Sequence, residues 1–135
     1  MADIRQVTED FAVAPQLQPG DMAEAARLGF KLVINNRPDH EVPDQPTSDE
    51  MEAAAKAAGL HYQYVPVSGP PVLTAVEAVH HAVKHAHGPV LAFCRSGTRS
   101  IVTWSLGQLE HGDASSEELI QAARGAGYDL SSVLA

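Results

Sequence analysis

Val90-Leu91-Ala92-Phe93 is an uninterrupted apolar run that leads straight into Cys94-Arg95-Ser96-Gly97-Thr98-Arg99-Ser100. A strand that is apolar at every position has to be covered on both faces. It therefore belongs in the interior of a mainly parallel sheet with helices on either side. Leu32-Val33-Ile34 is a second run of the same kind. Both are runs of the kind that buried parallel strands show, and the first is expected at the centre of the sheet.

The segments around these runs fit that frame. Ile4 to Val7 and Phe11 to Ala14 are expected as short strands joined by the polar turn Thr8-Glu9-Asp10. Pro19 and Asp21 open a helix that ends at Gly29. After the second run comes a polar, proline-bearing loop, Asn35 to Pro46. Thr47 or Ser48 then caps a helix through Ala58, stopped by Gly59. Tyr62 to Val65 is expected as a strand. Thr74 is expected to cap a third helix with Val76, Val79, Val83 and Ala86 at helical spacing. Gly88-Pro89 breaks that helix. Ile101 to Glu110 is expected as a helix, and Ser115 or Ser116 caps another to about Ala126. Strand and helix alternate from residue 19 onward. The expected fold is therefore α/β, one domain over residues 1–135, with a central, mostly parallel sheet flanked by helices.

Composition narrows the function. The chain has 135 residues, 44% of them hydrophobic, enough for one core. There is no apolar run long enough for a membrane span and no secretory signal at the N-terminus, so a cytoplasmic location is expected. A net charge of −8 argues against nucleic acid or an anionic membrane as partner. A small anion is still admissible, because a local arginine cluster at a helix N-terminus can hold one. The single cysteine, Cys94, cannot form an internal disulfide. It is either a small core hydrophobe or a chemical group, and its neighbours decide which.

Those neighbours favour chemistry. Gly97 permits a backbone that turns successive N–H groups inward as a nest for an oxyanion, with Arg95, Ser96 and Thr98 as the other loop residues. Ser100 to Val102 begin a helix whose unpaired N–H groups point into the same space. The planar fork of Arg99 suits two oxygens of a tetrahedral anion. The same groups favour a thiolate, and the Ser100 hydroxyl is placed to hydrogen-bond the sulfur. In a parallel sheet ligands bind at the carboxyl ends of the strands, which is where Cys94 falls.

At this point the chain resembles a known family, the beta-lactamase hydrolase-like protein, phosphatase-like domain, within the tyrosine/dual-specificity phosphatase superfamily. The resemblance covers about Ile4 to Leu109. It is carried by Gly29-Phe30, Val33-Ile34-Asn35-Asn36-Arg37-Pro38-Asp39 with Glu41, Gly59-Leu60, Pro66-Val67 and the Cys94 loop. It implies a dual-specificity-phosphatase-like fold, a Cys94 nucleophile and an Arg99 anion clamp. Relatives fused to sulfide- and persulfide-handling enzymes imply a functional link to sulfide and persulfide oxidation. Three departures from ordinary tyrosine phosphatases stand out. Those enzymes place one residue more between cysteine and arginine than the four here, Arg95 to Thr98. They usually carry histidine where this chain has Phe93. Their acidic loop corresponds to Pro66 to Leu73, which holds no carboxylate here. The shorter loop is also similar to that of rhodanese sulfurtransferases, which have less need of an acid.

Outside the loop, Arg37, Asp39, His40, Glu41 and Asp44 follow a buried strand and so share the rim with Cys94. Arg37 would add positive charge to the anion site, and Asp39 or Glu41 would supply a proton or orient an arginine. The alternative is a solvated loop with an Arg37–Glu41 pair. His80, His81, His85 and His87 are read as a solvated helix face and not a metal site, and Trp104, Tyr62 and Tyr64 as core. No metal or cofactor is expected. Three readings follow: hydrolysis of a small phosphate ester through a Cys94 thiophosphate, transfer of a sulfane sulfur from thiosulfate or a persulfide through a Cys94 persulfide, and phosphate binding without turnover. An intact cysteine argues against the third.

Overall fold

The computed structural model, which describes residues 2–134, assembles the elements in the order β1 (Arg5–Gln6), β2 (Phe11–Ala14), α1 (Asp21–Arg27), β3 (Leu32–Asn35), α2 (Ser48–Ala57), β4 (His61–Tyr64), α3 (Leu73–His85), β5 (Val90–Phe93), α4 (Thr98–Glu110), α5 (Ser116–Gly125) and α6 (Ser131–Leu134). The five strands form one sheet in the order β1-β2-β5-β3-β4. β5 is central, parallel to β2 on one side and to β3 on the other, and β4 continues the parallel run. Only β1, at the edge, is antiparallel. This is the expected single-domain, mostly parallel α/β architecture.

The strand pleat sorts the apolar runs into two cores. Phe11, Val13, Ile34, Val90 and Ala92 point into a layer closed by α3, α4, α5 and α6, with Trp104, Leu119, Leu130 and Leu134 among its members. Ala12, Ala14, Val33, Leu91 and Phe93 point the other way, against Leu17, Met22, Ala25, Met51 and Ala55 of the α1–α2 side. Every residue of β2, β3 and β5 is buried, which is why no alternation shows in their sequences. Trp104 stacks on Phe11 with ring centroids 4.6 Å apart, joining α4 to the sheet.

Several boundaries differ from expectation. The first strand is shorter, Arg5–Gln6. α3 begins at Leu73 with Val72 at its cap, and Thr74 caps nothing. Pro70 and Pro71 keep the chain extended up to Val72, whose carbonyl takes the first helical N–H groups, of Ala75 and Val76. α4 begins at Thr98, because Gly97 takes φ +91° and turns the chain into the helix at once. α6 was not foreseen. Thr47 and Ser115 each cap their helix through a full capping box with Glu50 and Glu118.

Two side-chain expectations also change. His80 is not solvated: it is buried against Gly107, where α3 and α4 cross, and bonds Asp113 at 2.8 Å. Its ring stacks on His111, which in turn bonds Glu77. Tyr62 is half-buried, and Tyr64 is exposed rather than core, because β4 is the outer strand of the sheet.

Candidate active site

Three strand ends converge at the carboxyl edge of the sheet. Cys94 follows β5, Gln16 lies just beyond β2, and Asn36 follows β3. Backbone hydrogen bonds knit them together: Cys94 N–H to the Ala14 carbonyl at 3.4 Å, Gln16 N–H to the Arg95 carbonyl at 3.2 Å, and Asn36 N–H to the Phe93 carbonyl at 2.8 Å. Asn36 also donates from Nδ2 to the Val65 carbonyl, and its own carbonyl accepts from Val67 N–H. The loop that carries Val67 is thereby drawn onto the same rim. The Phe93 side chain points into the α1–α2 core and is fully buried there, so only its carbonyl takes part in the site.

Cys94 is buried, with 0% of its surface exposed. Its Sγ accepts the Gly97 N–H at 3.1 Å. Ser96 Oγ donates to Thr98 Oγ1 and accepts the Thr98 N–H, which tightens the turn. The N–H groups of Arg95, Ser96, Arg99 and Ser100 make no hydrogen bond among the described residues, and the last two lie in the first turn of α4. Such free N–H groups at a helix start are donors available to an anion. The Arg95 side chain is exposed.

Arg99 faces two ways. Nη1 donates to Glu41 Oε2 at 2.7 Å and to the Val67 carbonyl at 2.9 Å, and Nη2 donates to Glu41 Oε1 at 2.9 Å. These bonds use three of its five N–H groups and leave Nε–H and one Nη2–H free. The Glu41 bond, and after it the nearby Cys94, strengthens the hold of the guanidinium on its proton. Arg37 is buried, not solvated: Nε donates to Glu41 Oε1 at 2.8 Å and Nη1 to Gln16 Oε1 at 3.0 Å. Glu41 thus sits between both arginines. Its carboxyl is pushed down to about 2, chiefly by the Arg99 hydrogen bond, which outweighs the cost of burial, with Arg37 adding a smaller pull. Asp39 is committed elsewhere: Oδ1 accepts the Ser48 N–H at 2.7 Å at the start of α2, and its own N–H goes to Tyr64 Oη. His40 and Asp44 are exposed and join no contact at the site.

Ser100 departs from expectation. Its Oγ is buried and has no hydrogen-bond partner among the described residues, so the expected bond to sulfur is not formed. Asn36 Oδ1 is likewise unpartnered. Buried polar groups in that state typically cost about 1–3 kcal/mol, so a reacting partner for them would be favoured. No three His, Cys, Asp or Glu residues among those described converge as a metal site. A groove of about 600 Å³ beside Phe11, Trp104 and Asp113 lies near Val90, at the other end of β5, and shares no residue with the loop.

Residues 3–111 match the family described as beta-lactamase hydrolase-like protein, phosphatase-like domain. The chain belongs to that family. This phosphatase-like domain is 35% identical over 128 residues to the beta-lactamase hydrolase-like protein of Xylella fastidiosa, covering 94% of this chain but 30% of that protein. The domain therefore spans less than a third of that relative. Among solved structures, a candidate phosphatase from Neisseria meningitidis Z2491 superposes with TM-score 0.85 and 31% identity, over 98% of this chain and 94% of that one. TpbA of P. aeruginosa, solved as a cysteine-to-serine variant in complex with phosphotyrosine, has TM-score 0.68 and 16% identity over 96% and 76% of the two chains. At that identity the likeness is one of fold.

Sequence reasoning found the loop and the Arg37–Glu41 pair of this phosphatase-like domain but missed three contributors. Gln16 bridges β2 to Arg37 and to the loop, and its place just past a strand end on the carboxyl rim was the available signal. The Val67 carbonyl on Arg99 left no trace in residue type. Tyr128 Oη, which donates to the Ser96 carbonyl at 2.8 Å, comes from a segment with no motif at all.

Proposed function

We propose that this domain is a cysteine-dependent phosphatase for a small phosphate ester. The observation that carries the reading is Arg99, fixed along one edge by Glu41 and Val67 with a free edge left beside the Cys94 loop. Cys94 Sγ attacks phosphorus, the P–O ester bond breaks, and the alkoxide or phenolate leaves and takes up a proton. Water then attacks the thiophosphate, the P–S bond breaks, and inorganic phosphate and the thiolate are released. The free edge of Arg99 and the loop N–H groups bind the equatorial oxygens in both steps. Arg37 acts through Glu41, Ser100 Oγ is free to donate to the departing sulfur, and Asp39 holds the rim.

One observation favours a second reading, sulfur transfer. Glu41 is ionised and clasped by two arginines, which removes one of the two candidate proton donors, and Asp39 Oδ1 is turned to the Ser48 N–H at the start of α2. A thiolate that attacks the outer sulfur of thiosulfate breaks the S–S bond and expels sulfite, which needs no proton. An acceptor thiolate then removes the outer sulfur from Cys94. The link to persulfide-handling enzymes belongs to this reading.

Wild type, Cys94→Ser, Glu41→Gln and Asp39→Asn, each assayed on an aryl phosphate, an alkyl phosphate and thiosulfate with cyanide, decide between them. The phosphatase reading expects aryl phosphate turnover that exceeds alkyl phosphate turnover by about 10²-fold or more, since no acid assists the poorer leaving group. Glu41→Gln should lower both phosphates together, by loosening Arg99. Thiosulfate turnover without aryl phosphate turnover would replace the first reading by the second. Anion binding with no turnover of any substrate would leave a binding module.

A further inference from the structure

The Ser96–Gly97 peptide is held at both of its polar ends. Outside the loop, Tyr128 Oη donates to the Ser96 carbonyl at 2.8 Å. Inside it, the Gly97 N–H donates to Cys94 Sγ at 3.1 Å. A trans peptide is planar and sends its C=O and N–H in opposite directions. Fixing the carbonyl outward therefore fixes the N–H on the sulfur. The peptide before a glycine turns over at little steric cost, and Gly97 already has φ +91°. A turned peptide would aim the Ser96 carbonyl dipole at the sulfur and at any bound anion, where it repels both.

The phenol is itself held. The Arg5 guanidinium lies 5.2 Å from the centroid of the Tyr128 ring, and Arg5 is paired with Asp3 at 3.0 Å. The hydroxyl also fills the space a side chain at position 97 would need, since a Cβ there would collide with it. Tyr128 lies outside the matched family region, residues 3–111.

We infer that Tyr128 is a positioning residue for the Cys94 loop: its hydroxyl locks the Ser96–Gly97 peptide with the N–H on Cys94 Sγ and the carbonyl out of the anion site. This rests on the reading of Cys94 as the nucleophile. Tyr128→Phe keeps the ring and its stacking and deletes only the donor. Because the chain has one cysteine, the ultraviolet thiolate absorbance, corrected with Cys94→Ser, reports that residue alone. At any pH where wild type shows thiolate absorbance, Tyr128→Phe should show less of it and should alkylate with iodoacetamide about fivefold more slowly, the worth of one hydrogen bond. Ser115→Ala, which weakens α5 by removing its cap, controls for a purely structural effect. It should lower Tm and leave absorbance and alkylation unchanged. Loss of thiolate signal in Tyr128→Phe from a protein that turns over neither phosphate ester nor thiosulfate supports the lock while overturning the enzymatic reading. Equal absorbance and alkylation in wild type and Tyr128→Phe, or equal losses in Ser115→Ala, overturn the lock whatever the turnover.

Discussion

Glu41 joins the chemistry of the rim to its stability. Its carboxyl lies at about 2 in the folded protein, against an ordinary value near 4.5, chiefly because Arg99 donates to it. A depressed folded value means that the contribution is fully present above about pH 4.5 and is lost as pH falls toward 2. The side chain is 29% exposed, so solvent screening reduces the contribution to about 1–2 kcal/mol. The urea midpoint of wild type should therefore fall between pH 5 and 2 more steeply than that of Glu41→Gln, whose curve loses this component. At Arg99, lysine keeps the charge but not the two edges, one held by Glu41 and one free for the proposed anion. Arg99→Lys should lower kcat/KM by about tenfold or more. Arg95→Lys should cost far less, because that side chain is exposed. Equal, small losses at the two positions would remove Arg99 from the anion site.

Among the elements, α4 carries the site at its start and is braced further along by α3. Gly107 is the point of close approach, where an added Cβ would lie 3.2 Å from His80 Cβ and 3.5 Å from the Val76 carbonyl. Alanine is borderline there, but a branched side chain forces the helices apart. Gly107→Val should destabilise by about 1–3 kcal/mol in urea unfolding, and a wild-type midpoint would show that the crossing gives way easily. α2 is braced at its start by the Thr47 capping box and by Asp39 on the Ser48 N–H. Thr47→Ala should cost about 1 kcal/mol of stability with little change in turnover, since among the described residues the Thr47 side chain bonds Glu50 and no residue of the rim.

For the molecule as a whole, the C-terminal helices matter more than their distance from any motif suggests. Leu119, Ala123, Leu130 and Leu134 complete the core layer over the α4 face of the sheet. A chain ended at His111 would expose Trp104 and Ile101 along with that layer. It should lose its cooperative thermal transition and bind a hydrophobic dye, whereas a sharp transition would show that α5 and α6 are an accessory.

What the sequence determined alone was what local physics demands. Uniformly apolar runs had to be buried on both faces, helices had to start at Thr47 or Ser48 and at Ser115 or Ser116, and Cys94, Gly97 and Arg99 had to share one turn between a buried strand and a helix. Where two groups had to meet from distant segments, residue type was silent. Arg37 reads as a solvated loop cation until Gln16 closes over it, and His80 reads as a polar helix residue until Gly107 lets α4 cover it. Asp39 and Glu41 have the same chemistry and neighbouring positions, yet one is bound by a helix N–H and the other by two arginines. Tertiary structure alone decided that Glu41, and not Asp39, is the carboxylate clasped by the arginines, because the position of a charge relative to its partners is set by the fold and not by its place in the chain.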